Sequence, residues 1–142
     1  MITITIPGEP TGKARARVTK YGAYTPEKTV NYETLVKEMF AIKYPNHKPF
    51  EEEVLISVVA NFSIPKSYTK GKRLAATHNV IRPTKKPDAD NILKIIADSL
   101  NKVAYKDDSQ IVSVNLFKKF TAGQPFTEVK IIDVSAKEVA KS

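Results

Sequence analysis

The segment from residue 88 to residue 103 restricts the fold of this 142-residue chain more than any other. Its apolar side chains recur at helical spacing, at Ile92, Ile95, Ile96, Leu100 and Val103. If a helix begins near Asp90, then Asp90, Lys94 and Asp98 lie at i, i+4 and i+8 on another face. The pattern predicts a helix that packs on one side and presents charged groups on the other.

Carboxylates are concentrated around this helix, although the chain as a whole is basic. The formal net charge is +8, yet one short segment contains Asp88, Asp90, Asp98, Asp107 and Asp108. A hard cation such as Mg²⁺ would offset the repulsion between them, because it binds one or two carboxylates together with waters and substrate phosphates. The composition therefore favours a metal site within a chain that binds nucleic acid.

Several of these aspartates also have a structural interpretation. Either Asp88 or Asp90 could be a helix N-cap, with Pro87 holding the preceding chain extended. One cap needs only one carboxylate, however, and the spacing supplies two. Asp107 and Asp108 could form a polar turn before a strand, since aspartate is a good turn residue. Both interpretations stay open at the level of sequence.

Lys94 has a structural alternative too. Between Asp90 and Asp98 it could belong to a solvated ion-pair stripe, which contributes about 0.3–0.5 kcal/mol per pair. As a functional group, its ammonium lies one helical turn from Asp90 and could neutralise charge in a transition state near a metal. An EF-hand is excluded, because a loop starting at the first aspartate has Leu93 and Ser99 where glycine and glutamate are required.

Residue usage excludes several other classes of chemistry. The chain has no cysteine and only two histidines, His47 and His78, so disulfides and thiolate or histidine-rich zinc sites are ruled out. Glycine-rich phosphate loops and a Gly-x-Ser-x-Gly nucleophile motif are missing. No apolar run approaches the ~20 residues of a membrane span, and the start of the chain is unlike a signal peptide. We expect a cytoplasmic protein with an oxygen-bound metal, no membrane contact and no small-molecule cofactor.

The remaining sequence predicts one α+β domain over residues 1–142, a mixed β-sheet with packed helices. Apolar alternation and β-branched residues predict strands over residues 2–6, 54–64, 111–120 and 126–134. A packing helix is predicted over 29–43, from Val30, Leu35, Val36, Met39 and Phe40. Residues 122–125 look like a hairpin turn between the last two strands. The tail 135–142 is expected to be frayed or a short helix.

Basic residues form three clusters that could contact DNA phosphates. Lys13, Arg15 and Arg17 alternate, so in an extended chain they would point the same way, although such a strip could also be a charged edge strand that resists pairing. The stretch 66–73 is expected to be a short helix or mobile loop, and 82–86 precedes the acidic segment. The candidate DNA-binding residues are Lys13, Arg15, Arg17, Lys70, Lys72, Arg73, Lys85 and Lys86.

The order of these groups closely resembles the RusA family of Holliday junction resolvases, also called crossover junction endodeoxyribonucleases. The motif residues are 86–94 (Lys-Pro-Asp-Ala-Asp-Asn-Ile-Leu-Lys), 98–101 (Asp-Ser-Leu-Asn) and 105–111 (Tyr-Lys-Asp-Asp-Ser-Gln-Ile). The basic segment 10–17 and Lys118 or Lys119 extend the resemblance over roughly residues 5–120. One departure is Lys102, where family members often have glycine.

The resemblance implies specific roles. Asp88, Asp90 and Asp108 would bind Mg²⁺, for which Mn²⁺ is expected to substitute, Lys94 would be the catalytic lysine and Asp107 a supporting acid. Family members act as homodimers that nick two strands of a four-way DNA junction symmetrically, in recombination and repair, and a bacterial or phage origin fits. Two alternatives are kept: a non-catalytic basic DNA-binding protein, and a nuclease of the same chemistry that acts on flaps or forks.

Overall fold

A four-stranded mixed sheet is the central element of the computed structural model, which describes residues 1–135. In chain order the strands are β1 (Ile2–Pro7), β2 (Arg17–Thr19), β3 (Gly22–Tyr24), β4 (Val54–Ser63), β5 (Ile111–Thr121) and β6 (Phe126–Asp133). The helices are α1 (Glu27–Lys43), α2 (Lys70–Thr77) and α3 (Ala89–Leu100), and a 3₁₀ turn covers Asp108–Gln110. The sheet order is β1-β6-β4-β5, while β2 and β3 form a separate hairpin. The predicted α+β class is confirmed.

The core lies between one face of this sheet and the helices α1 and α3. Strand alternation puts Ile2, Ile4 and Ile6 of β1 on the buried face, as predicted. They pack with alternate residues of β4 and β6 and with α1 and α3 in one cluster. Each fully buried isoleucine contributes about 1.5–3 kcal/mol relative to an exposed one. This packing fixes α3, and with it the acidic segment, against the sheet.

Helix α3 confirms the predicted amphipathic pattern but is shorter at its end. Its buried residues include Ile92, Ile95, Ile96 and Leu100. The helix ends at Leu100 because the next two residues leave helical geometry: Asn101 is extended, and Lys102 has a φ of +67°. Val103 therefore lies beyond the helix rather than on its apolar face. The positive φ of Lys102 is a conformation that favours glycine.

Helix α1 begins two residues before the predicted start, and its buried face is only partly the predicted one, since Val36 and Phe40 are buried as expected. Its inward residues are Thr29, Tyr32, Val36 and Phe40. Val30, which was expected to pack, is 46% exposed. Tyr32 takes the inward position because its ring is buried while its hydroxyl donates to Thr127 Oγ1 at 3.3 Å. The sequence prediction left Tyr32 out of the buried face, although most of the surface of a tyrosine side chain is apolar.

The predicted hairpin between the last two strands is wrong, although both strands exist. Strand β4 lies between them: Val58 pairs with Leu116 in parallel on one side and with Val129 antiparallel on the other. The loop 122–125 therefore crosses the end of β4 instead of joining neighbours. The central place of β4 agrees with its residues, which are buried or half-buried almost throughout, whereas the edge strand β5 has no fully buried residue.

The β2–β3 hairpin differs from the sequence expectation, whereas the basic stretch 66–73 takes one of its two predicted forms, a short helix. The small β2–β3 hairpin was not predicted, and its residues are all exposed. The basic stretch 66–73 turns first and then enters α2, where Thr69 Oγ1 accepts a hydrogen bond from Lys72 N at 3.3 Å as an N-cap. The predicted frayed tail, beyond its first residue, lies outside the described residues. Within residues 1–135, no helix is both long and apolar enough to cross a bilayer.

Candidate active site

The basic amino-terminal segment lies directly along the start of α3. Lys13 N donates to the Asn91 carbonyl at 2.9 Å, and Ala14 N donates to Thr29 Oγ1 at 3.3 Å. These bonds hold the segment between α3 and α1. Residues that are more than 70 positions apart in sequence, the first cations and the first aspartates, are thereby placed side by side.

Two neighbouring clefts open on either side of this contact. Asp88 lines a cleft of about 470 Å³ together with Lys28 and Lys86. Asp90 and Lys94 line a cleft of about 540 Å³ with residues 13–16. Lys13, Ala14 and Asn91 line both clefts. Each aspartate therefore faces solvent within reach of basic residues, which suits an anionic ligand such as a DNA phosphate.

The carboxylates of Asp88 and Asp90 have no partner among the described residues. Asp88 occupies the N-cap position of α3, with extended backbone at φ −69° and ψ 154°, yet its side chain accepts no capping hydrogen bond. Asp90, in the first helical turn, forms no ion pair with any residue in 1–135. The capping interpretation therefore accounts for the position of Asp88 and not for its carboxylate.

The ion-pair stripe along α3 does not form either. In the described part of the chain, Lys94 is exposed and pairs with neither Asp90 nor Asp98. The structure places it, as predicted, in the same cleft as Asp90. Its ammonium is thus available to a bound anion rather than committed to a helix-stabilising pair.

Asp98 is instead paired with Lys13, a residue predicted to contact DNA. Lys13 Nζ lies 3.1 Å from Glu33 Oε2 and 3.4 Å from Asp98 Oδ2, and all three side chains are partly buried. Burial lowers the pKa of the Lys13 ammonium, but the hydrogen bond and charge of Glu33, joined by Asp98, outweigh it and raise the pKa above its ordinary value of 10.5. Within the basic segment, Lys13 has acidic partners, whereas Arg15 and Arg17 are exposed.

The acidic pair after α3 divides into one structural residue and one free residue. Asp107 caps the 3₁₀ turn: its carboxylate accepts from the Ser109 hydroxyl and from Ser109 N, and its own N–H donates to Gln110 Oε1 at 2.9 Å. The Ser109 hydroxyl and backbone bonds lower the pKa of Asp107. Asp108 is exposed, and its carboxylate has no bonded partner in residues 1–135. Both aspartates therefore lie in the polar turn that the sequence allowed, but only Asp107 uses its carboxylate to hold that turn together.

A buried tyrosine anchors the chain between α3 and this turn. Tyr105 is fully buried, and its hydroxyl donates to the Ala97 carbonyl at 2.7 Å. Burial raises the pKa of Tyr105, and the charges of Asp108, Asp98 and Asp107 raise it further. The phenol therefore stays neutral and acts as a structural donor. It holds the turn with Asp108 near the carboxyl-terminal half of α3.

The three predicted metal ligands are not gathered into one group within the chain. Asp108 lines neither of the two clefts. In residues 1–135, no three or more His, Cys, Asp or Glu side chains stand together as a metal-holding group. The donor chemistry of Asp88 and Asp90 nevertheless fits Mg²⁺, because this ion takes one or two protein carboxylates and completes its shell with water and phosphate oxygens.

Most of the other predicted DNA contacts are exposed. Lys70, Lys72 and Arg73 lie on α2, and Lys85 and Lys86 directly precede the acidic motif. Sequence reasoning missed Lys28, which lines the Asp88 cleft. It also missed aromatic rings beside the 82–86 cluster, from Phe62, Tyr68 and Phe120. Lys28 lies just before the predicted helix and in the first turn of the observed one, and the three rings meet only in three dimensions.

The chain is similar to known proteins over most of its length. Residues 7–132 match the family model described as Endodeoxyribonuclease RusA. The chain is also 34% identical over 140 residues to the uncharacterized protein YqaN of Bacillus subtilis (strain 168), covering 95% of this chain and 98% of that protein. Both matches span the basic segment, the two clefts and the acidic turn.

Proposed function

Because the chain belongs to the RusA endodeoxyribonuclease family, we propose that it is a Mg²⁺-dependent, structure-selective DNA endonuclease. In this proposal it resolves Holliday junctions in recombination and repair by paired, symmetric nicks. One observation carries it: in a chain of net charge +8, Asp88 and Asp90 keep their carboxylates free and open into clefts bordered by basic residues. Unpaired carboxylates amid cations suit metal-assisted cleavage of a polyanion.

Asp88 and Asp90 would hold the metal from the protein side, with Asp108 as the third carboxylate that the family resemblance assigns. Mg²⁺, or Mn²⁺ in its place, would supply an activated water and offset charge on the leaving oxygen. Asp108 lines neither cleft, so its place among the metal ligands of this proposal rests on the family resemblance.

The surrounding cations would position the substrate. Lys94, in the Asp90 cleft, would place its ammonium against the phosphate where negative charge increases during cleavage. Lys28 and Lys86 beside Asp88, and Arg15 beside Asp90, would hold the phosphate backbone over the carboxylates. Asp107 and Tyr105 would support the turn that presents Asp108.

A homodimer is part of the proposal. Two symmetric nicks require two copies of a site that the chain contains once, and a C₂ dimer provides both copies with a self-complementary interface. Light scattering at micromolar concentration, with and without a junction, measures this directly. If the protein remains monomeric on DNA and nicks only one strand, the dimer and junction resolution are both wrong, while the nuclease activity stands.

The rival function is a non-catalytic DNA-binding protein whose carboxylates only cap and pair. Asp98 and Asp107 do serve in those ways, which gives the rival a basis. The rival function gives no role to Asp88, Asp90 or Lys94, which line the two clefts. The rival predicts binding with no cleavage in any metal.

The test is incubation of purified protein with a synthetic four-way junction labelled on each strand, with Mg²⁺, Mn²⁺ or a chelator. Paired nicks in two strands of like polarity, dependent on the metal, are expected. Parallel reactions on a flap, a replication fork and a linear duplex determine selectivity, and the Asp90→Asn protein, purified in the same way, controls for contaminating nucleases. If flaps or forks are cut in preference to the junction, they are the substrate instead. If no DNA is cut, the proposal that the protein is a nuclease is wrong.

A further inference from the structure

A cavity of about 160 Å³ lies beside the carboxylate clefts and has no part in the proposed cleavage chemistry. It is bounded by the ends of β4 and β5, the turn before α2 and the loop before Asp88. Three aromatic side chains line it: Phe62, Tyr68 and Phe120. None of the lining residues is an acid, an amide or a histidine. The other lining residues are Ser63, Pro65, Pro83, Thr84, Lys85 and Lys86, so the cavity combines ring surface with two hydroxyl and two ammonium groups.

The rings are held in place by packing. Phe62 packs against the main core. Tyr68 and Phe120 meet edge to face, with ring centroids 5.9 Å apart and planes 72° to each other. All three side chains are half-buried, so each also retains accessible surface. A preformed aromatic site loses little conformational freedom when a flat ligand enters it.

Cations surround these rings. Lys72 Nζ lies 4.1 Å from the Tyr68 ring centroid, and Lys118 Nζ lies 5.4 Å from that of Phe62. Lys118 Nζ also donates to the Lys85 carbonyl at 2.7 Å. Among the described residues, no acid forms an ion pair with Lys72 or Lys118. The site thus combines flat apolar surface with unneutralised positive charge, which matches a nucleotide: a flat base attached to an anionic phosphate.

The cavity adjoins the cleft of the candidate active site that contains Asp88. Lys86 lines both this cavity and the cleft that contains Asp88. A DNA strand with one phosphate at Asp88 would therefore pass the cavity with an adjoining nucleotide. Bases at a branch point have lost a stacking neighbour, so moving one out of the helix costs less there than in a continuous duplex.

We propose that the cavity formed by Phe62, Tyr68 and Phe120 binds one unstacked nucleobase of the DNA strand that is to be cut. This proposal rests on the proposed function for the identity of that strand, but base binding itself does not. Recognition is by stacking, so it tolerates different bases. Loss of the Tyr68 ring should weaken binding of single-stranded DNA by about tenfold, the scale of one base–aromatic stack.

The first experiment uses no metal and no junction. A short single-stranded oligonucleotide with one 2-aminopurine is titrated with wild-type protein, and its fluorescence should change as the base stacks. Tyr68→Leu should lose this change and about tenfold in affinity, whereas Tyr68→Phe should keep both. Phe117→Leu is the matched control, since Phe117 is a 61% exposed ring on the same strand as Phe120 but outside the cavity. Phe120→Leu repeats the test from the other side of the cavity.

Equal fluorescence change and affinity in wild-type, Tyr68→Leu and Phe120→Leu proteins would overturn the base site. So would an equal loss in the Phe117 control. The second experiment, junction nicking in Mg²⁺, separates this result from the fate of the proposed function. If the protein nicks junctions but gives no stacking signal, the proposed nuclease function stands and the proposed base site is wrong. If it gives a ring-dependent signal but does not nick junctions, the base site is supported and the proposed nuclease function is wrong.

Discussion

Gly12 and Pro87 approach each other more closely than any side chain at residue 12 would permit. A Cβ built on Gly12 would lie 2.8 Å from the Pro87 Cβ and 3.1 Å from the Asn91 Cβ. Real Cβ atoms do not come this close to a neighbouring atom, so the contact requires glycine. Through it, the basic segment reaches the backbone at the start of α3, beside Asp88.

Gly12→Ala should therefore destabilise the protein by about 1–3 kcal/mol, because the new methyl group must displace Pro87 or the segment itself. Urea unfolding measures the change. Gly71→Ala is the matched control: a Cβ there meets nothing within 4 Å, and residue 71 lies in α2. This control should be neutral or more stable by up to about 1 kcal/mol. Equal effects of the two substitutions would contradict the close contact.

Asp90→Asn should abolish cleavage while junction binding stays equal or becomes tighter. The substitution keeps the shape and removes one negative charge from a site that faces DNA phosphates. Single-turnover cutting and a binding titration in chelator measure the two effects. Asp98→Asn is the control, since Asp98 is paired with Lys13 and should affect stability more than chemistry. Wild-type cutting by the Asp90 variant would remove this residue from the site.

Lys94→Ala should depress the single-turnover rate by far more than it weakens binding, because its charge is needed most in the transition state. Lys37→Ala, an exposed lysine on α1, removes the same charge elsewhere and should leave the rate unchanged. Rates and affinities of both variants are compared on one junction. Weaker binding with an unchanged rate would make Lys94 a substrate contact.

The salt dependence of junction binding should distinguish Arg15 from Lys13. Arg15 is exposed in the cleft with Asp90, so Arg15→Gln should remove a phosphate contact and reduce the slope of log affinity against log salt by about 0.9. Lys13 pairs with Glu33 and Asp98, so Lys13→Gln should change the slope less and the unfolding free energy more. The reverse order would show that DNA displaces the acidic partners of Lys13.

Lys102→Gly should stabilise the protein by roughly 0.5–1 kcal/mol. A left-handed backbone costs a residue with a side chain about 1–2 kcal/mol, and part of the gain is offset by the greater freedom of glycine in the unfolded chain. Asn79→Gly, at a φ of +60°, is the control, and its gain should be smaller because asparagine tolerates this region. Thermal or urea unfolding of the three proteins settles the order.

The sequence predicted what depends on local periodicity. Alternation over β1 and the apolar spacing of α3 were sufficient, because each element buries one face and that face repeats regularly. Which aspartates have bonded partners and which do not could not be predicted. Asp98 is paired because Lys13 comes from the amino-terminal segment, and nothing in the local spacing of α3 indicates that contact.

The failed hairpin has the same origin. A glycine and a proline between two strands at 122–125 indicate a reversal of direction, which does occur, but not which strand fills the space between. Strand β4 lies there, with one face almost fully buried and the other largely half-buried, and its two edges pair with β5 and β6. The aromatic cavity was equally hidden, since its rings come from β4, β5 and the turn between β4 and α2.

The parallel pairing of β4 with β5 affects when, during folding, the acidic turn before β5 reaches its final position. The two strands are neighbours in the sheet, yet the whole of residues 64–110 lies between them in sequence. Closing such a loop costs entropy before any strand contact repays it, so non-local pairing of this kind slows folding and comes late. We expect α3 and its first two aspartates to form early from local contacts. The local bond from Tyr105 to Ala97 can already hold the Asp108 turn beside α3. Its second anchor, from Gln110 to the Phe50 and Glu52 carbonyls, forms only with the long-range contacts, so an incompletely folded chain holds Asp108 less firmly than Asp88 and Asp90.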